Sequence, residues 1–62
     1  MYTEAIKQIK EVFDSKKTDK IRYFDMEHIH DHHEAVKQMD DDGIVSIYFV
    51  GHKIYIEKRI GW

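Results

Sequence analysis

A chain of 62 residues with net charge −2 and no cysteine makes one domain, residues 1–62, with a small core. At this length folding hides only about 60% of the surface that the unfolded chain exposes, so each apolar residue counts. The missing thiols exclude a disulfide framework, a thiolate zinc site and a cysteine nucleophile, and they suit a reducing, cytoplasmic setting. No apolar run is long enough for a membrane span or a signal segment, and Met1-Tyr2-Thr3-Glu4 does not read as a targeting region, so no membrane partner is expected.

Thr3 to Phe13 sets Ala5, Ile6, Ile9, Val12 and Phe13 on one stripe with Glu4, Lys7, Gln8, Lys10 and Glu11 opposite, which is the helical period. Thr3 is the expected cap, and Glu4 suits the positive end. Asp14 to Lys20 holds no apolar residue and reads as a loop, followed by a short strand at Ile21-Arg22-Tyr23-Phe24. Asp25 then offers a helix entry, with Phe24 placed to staple onto Ile29. Six residues on, Asp31 and Glu34 offer a second entry as a capping box. Two starts so close predict two helices joined by a tight turn; one continuous helix from Asp25 to Asp42, with Met26 off its apolar stripe, is the alternative. The second helix groups His32, Ala35, Val36 and Met39 on one face and stops at Gly43, the residue type favoured just past a helix end.

From Ile44 to Ile60 two β-branched and aromatic runs flank Gly51-His52, which predicts a hairpin with a type II′ turn. The register is specific: Val50 faces Lys53, then Phe49/Ile54, Tyr48/Tyr55, Ile47/Ile56, Ser46/Glu57, Val45/Lys58 and Ile44/Arg59. One face collects Val45, Ile47, Phe49, Ile54 and Ile56; the other carries Ser46, Tyr48, Val50, Lys53, Tyr55, Glu57 and Arg59. Placing Phe49 on the apolar face predicts that Phe49→Ala costs about 3–5 kcal/mol.

The order helix, short strand, helix, helix, hairpin resembles that of the winged helix-turn-helix domain. Ala35-Val36-Lys37-Gln38-Met39-Asp40-Asp41-Asp42-Gly43-Ile44-Val45 is similar to that family's junction between recognition helix and wing. The resemblance covers nearly the whole chain and implies an α+β, winged-helix-like fold, a recognition helix from Ala35 to Asp42 and a wing tip at Gly51-His52-Lys53. It further implies a small DNA-binding transcription regulator of bacterial or phage type. The nucleic-acid contacts it implies are His33, Lys37 and Gln38 on the helix and Lys53, Lys58 and Arg59 on the wing.

Charge departs from that pattern. The outward face of the third helix shows Glu34, Lys37, Gln38 and Asp41, and phosphate contacts need Lys or Arg. The second expectation is therefore a protein-contact module or homodimer, without nucleic acid, that uses Tyr48 and Tyr55 on the hairpin and the C-terminal Trp62. His28, His30, His32 and His33 crowd one window, yet their spacing matches no metalloenzyme motif. Helix-surface positions and a core-edge His32 are expected rather than a metal site; His28 and His32 would share a helix face only in the one-helix alternative. No nucleophile with an adjacent base and no Gly-rich phosphate loop is present, so no enzyme, cofactor or small-molecule substrate is expected.

Overall fold

The computed structural model describes residues 2–62 and is a small α+β domain with two α-helices and a three-stranded antiparallel sheet. The elements are α1 (Thr3–Lys16), β1 (Lys20–Arg22), a 3-10 turn (Tyr23–Met26), α2 (His32–Asp41), β2 (Val45–Val50) and β3 (Lys53–Lys58). The strand order is β1-β3-β2.

Helix α1 forms where the 3.6-residue stripe demands it, burying Ala5, Ile9 and Phe13 with Ile6 and Val12 at the margin. It starts one residue earlier than expected: Tyr2 is the N-cap and Thr3 the first helical residue, with no side-chain cap. It also runs through Asp14, Ser15 and Lys16 into the segment expected to be loop. Those residues have no apolar duty, but they extend an existing helix at no nucleation cost. Lys17, in the left-handed region at φ 52°, ends it, and Thr18 N–H donates back to the Phe13 carbonyl.

The middle of the chain corrects the sequence reading most. No α-helix begins at Asp25; the chain instead makes consecutive three-residue turns, with Ile29 N–H donating to the Met26 carbonyl and His32 N–H to the Ile29 carbonyl. Met26 and Ile29 are both fully buried, and three residues per turn places such a pair on one line. The Asp25 carboxylate accepts from the Arg22 N–H at 3.2 Å rather than capping a following helix. Phe24, expected to staple onto Ile29, is 68% exposed. Asp31 then takes φ 64°, which breaks the chain direction and rules out one helix from 25 to 42. Asp31 is the N-cap of α2 as expected, but it makes no side-chain cap bond, so the expected capping box with Glu34 is not formed.

The end of α2 follows the sequence reading. Gly43 takes φ +77°, its N–H donates to the Asp40 carbonyl, and the Ile44 N–H donates to the Met39 carbonyl. That double closure satisfies the last carbonyls and turns the chain into β2. The hairpin pairs as predicted, from Val45/Lys58 to Val50/Lys53, and the Arg59 N–H donates to the Ile44 carbonyl at 2.9 Å. Gly51 has φ +62° while His52 does not turn positive, as a type II′ turn requires. β1 pairs with β3 through Lys20/Glu57, Ile21/Ile56 and Arg22/Tyr55; it is one residue earlier and shorter than the expected strand.

The core lies between the helices and one face of the sheet. Val45 and Ile56 are fully buried there against Phe13, Val36 and Met39 of the same cluster. Phe49 is on the predicted face but is 70% exposed, because the hairpin outruns the helices. So exposed a side chain does not carry the cost of about 3–5 kcal/mol that its face alone suggests for Phe49→Ala.

Candidate nucleic-acid interface

The two faces of the sheet carry different chemistry, and the register explains why. Lys20 and Arg22 flank Ile21 on β1, so when Ile21 turns into the core both cations turn outward. They meet Glu57 and Tyr55 on β3, beside Ser46 and Tyr48 on β2. Tyr48 and Tyr55 are stacked, with ring centroids 6.0 Å apart and planes inclined by 24°. The Lys20 ammonium lies over both rings, 5.5 Å from one centroid and 5.3 Å from the other. Hydrogen bonding and electrostatic interaction with Tyr48 raise the Lys20 pKa against an opposing effect of desolvation, with lesser help from Glu57 and Tyr55. The outward face thus holds a positioned ammonium beside a guanidinium, with Glu57 its one carboxylate among the strand residues. Lys53 continues this face toward the tip, and Arg59 continues it past the end of β3.

The sequence-predicted contacts do not gather in one place. Lys58 pairs with Val45 on the inner face, half-buried, with its ammonium 5.7 Å from the Phe13 ring centre and 4.9 Å from that of Trp62. Trp62 itself meets Phe13 edge-to-face at 4.8 Å and takes the Lys10 ammonium at 5.3 Å, so its ring is engaged within the chain. On α2, His33 and Lys37 border an open groove of about 300 Å³ whose floor is apolar: Val36, Ile47, Phe49 and Ile54. Gln38 points to the other side, toward Tyr2 and Asp42. The helix shows three carboxylates, Glu34, Asp40 and Asp41, against the single ammonium of Lys37. Of the predicted nucleic-acid set, Lys53 and Arg59 share the outward sheet face and His33 and Lys37 border the groove, while Gln38 and Lys58 join neither group. Lys20 and Arg22 were missed, although the alternation Lys-Ile-Arg was a usable signal once Ile21 was assigned to the core.

The histidines are spread over different elements. His28 lies in the turns before α2 while His32 opens the helix, so the shared helix face needed for chelation is not formed. His32 is half-buried, as expected, and its Nδ1 donates to the Ile29 carbonyl at 2.8 Å. The Tyr23 hydroxyl is 2.9 Å from His33 Nδ1. Burial, reinforced by Glu27 and Glu34, raises the Tyr23 pKa, so at neutral pH the phenol keeps its proton. Among the described residues no three His, Asp or Glu side chains converge on a metal position, and no helix is long and apolar enough to cross a membrane.

No family model matches this chain, and no curated protein or solved structure matches it significantly.

Proposed function

We propose that this chain is a small, non-enzymatic binding module of winged-helix type whose ligand is duplex DNA, held by its phosphate backbone. The element order and the strand order β1-β3-β2 support the winged-helix arrangement, with the 3-10 turn standing where that family has its middle helix. The observation that carries the DNA reading is the outward sheet face, where Lys20, Arg22 and Lys53 stand together while the carboxylates concentrate on α2. The sheet, rather than an acidic helix in the groove, is then the anchoring surface. Backbone contact of this kind positions the protein without reading sequence.

Each neutralised phosphate contributes roughly 0.9 to the slope of log affinity against log salt, so three or four contacts give weak binding that fades steeply as salt rises. Anisotropy titration of a labelled duplex at low salt tests this. Arg22→Glu and Lys53→Glu should abolish binding, and Lys37→Glu should leave it within about twofold, since one distant ammonium contributes little. No binding to any duplex at low salt, or loss on Lys37→Glu alone, overturns the reading.

The other reading is a protein contact made by the hairpin without nucleic acid. The exposure of Phe49 and Val50, apolar side chains at the end of a strand, favours it.

A further inference from the structure

The outward sheet face carries an aromatic pair for which backbone contact with a duplex has no use. Tyr48 and Tyr55 are half-buried cross-strand partners, with ring centroids 6.0 Å apart and planes inclined by 24°. The helices and the core lie on the other face, and neither ring joins that cluster. Around the pair stand Lys20, Arg22 and Lys53, with Arg59 past the end of β3; all four are exposed, and Glu57 is the one carboxylate among the strand residues of this face. The ion pairs among the described residues join Lys16 to Asp25 and His30 to Asp31, so none of the four cations is held by a carboxylate. In a duplex the bases are closed in the stack, and such a face meets phosphate and sugar only. An unpaired strand offers phosphates and ring faces together, which is what cations set around aromatics suit.

We infer that this face takes unpaired nucleotides of DNA, a base lying on the Tyr48/Tyr55 pair while Lys20, Arg22 and Lys53 hold the phosphates around it. The inference rests on the reading of the face as a nucleic-acid anchor and names the form of DNA it prefers. The register supplies the spacing. Lys53 and Glu57 are four residues apart on β3, roughly 13 Å at the rise of a strand. Lys20 stands opposite Glu57 and Arg22 opposite Tyr55, so cations flank the ring pair along the strand and beside it. Lys20 changes partner on binding. In the free chain its ammonium lies over both rings, 5.5 Å from one centroid and 5.3 Å from the other. That attraction is weak at so exposed a site, and the flexible stem lets an arriving base displace the ammonium onto a phosphate. An acidic protein would satisfy the cations and leave the rings idle, whereas a single strand engages both.

Fluorescence anisotropy at low salt, on the full chain, compares a labelled oligothymidine of about ten nucleotides with a GC-rich duplex of the same length. The single strand should bind at least about tenfold more tightly, the worth of one stacked base. An abasic strand of that length, which keeps the phosphates and has no bases, should bind no better than the duplex. Tyr48→Leu and Tyr55→Leu should each bring the ratio of the two affinities close to one, while Tyr55→Phe, which keeps a ring, and Phe49→Leu, on the opposite face, should preserve it. In the unaltered chain, where folding is not in question, oligothymidine should shift the Tyr48 and Tyr55 ring proton resonances upfield and leave those of Phe49 in place. An abasic strand that matches oligothymidine, or tyrosine resonances that stay put, overturns the inference. Oligouridine bound more tightly than oligothymidine overturns the choice of DNA. Equal affinities for strand and duplex, indifferent to both tyrosines, sink this inference and leave the duplex reading standing; a single strand bound through the tyrosines with no duplex bound at all does the reverse.

Discussion

The base and the tip of the hairpin have the same alternation and opposite environments. At the base Val45 and Ile56 are fully buried; at the tip, on the same face, Phe49 is 70% exposed. The pleat decides which side of the sheet a residue joins, whereas burial depends on what stands opposite, and the helices cover only the base. A strand pattern therefore assigns a face and not a depth. The tip is left free to bind because the fold does not need it.

The largest expected effect breaks the base. Ile56 is fully buried and lies in both strand pairings, with Ile21 on one side and Ile47 on the other. Ile56→Ala should cost about 2–5 kcal/mol, most of what so short a chain has to lose. Thermal denaturation by circular dichroism should show a largely unfolded variant at 25 °C. Next in size is the aromatic lid. Trp62 is half-buried against Phe13 with the Lys10 and Lys58 ammoniums over it, so Trp62→Ala should cost about 2 kcal/mol in urea denaturation. A neutral result would mean that Trp62 is free to serve as an external anchor, as the sequence alone suggests.

A smaller effect is expected at the turn. Gly51 sits at φ +62° with open space where a Cβ would go, so Gly51→Ala meets no clash and carries only backbone strain, about 1 kcal/mol. The same reasoning shows what was legible in the sequence. The hairpin register and the Gly43 stop were readable because each rests on local rules, period two and left-handed glycine, that tertiary context did not override. The segment from Tyr23 to Asp31 was not, because Met26 and Ile29 three residues apart fit a helix face and a 3-10 turn equally well. Asp25 looked like a cap since its carboxylate seeks an N–H, but the one it found, on Arg22, lies behind it. For the interface, the cations on β1 were left out of the expected contacts because the strand was expected to begin at Ile21, which put Lys20 in the loop and gave Arg22 no cationic neighbour on its face.

Alkaline pH sharpens the comparison from the helix side. Tyr23 is held protonated by burial and by Glu27 and Glu34, so its folded pKa lies above its unfolded one. That contribution is fully present below the unfolded pKa, near 10, and is lost as pH rises through the folded value. Wild-type stability should thus fall more steeply above about pH 10 than that of Tyr23→Phe, which has no phenol to ionise. Urea midpoints measured from pH 8 to 11 that ran parallel in the two proteins would show that the Tyr23 hydroxyl is solvated like any surface phenol.

The smallest effect is the most informative, because it returns to the tip. In the single chain Phe49 is mostly in water, and a surface truncation of that kind changes stability by no more than about 0.5 kcal/mol. Measured at low micromolar concentration, Phe49→Ala should therefore have almost the urea midpoint of the wild type. At high concentration the two should separate only if the exposed Phe49 meets another molecule, since association stabilises the folded chain by mass action. The concentration dependence of the difference, rather than its size at any one point, reports what the tip does. A large loss already at the lowest concentration would mean that Phe49 is part of the core after all and that the helices reach further along the hairpin than its base. A difference that stays near zero throughout would mean that the exposed phenylalanine meets nothing, neither its own chain nor a second copy.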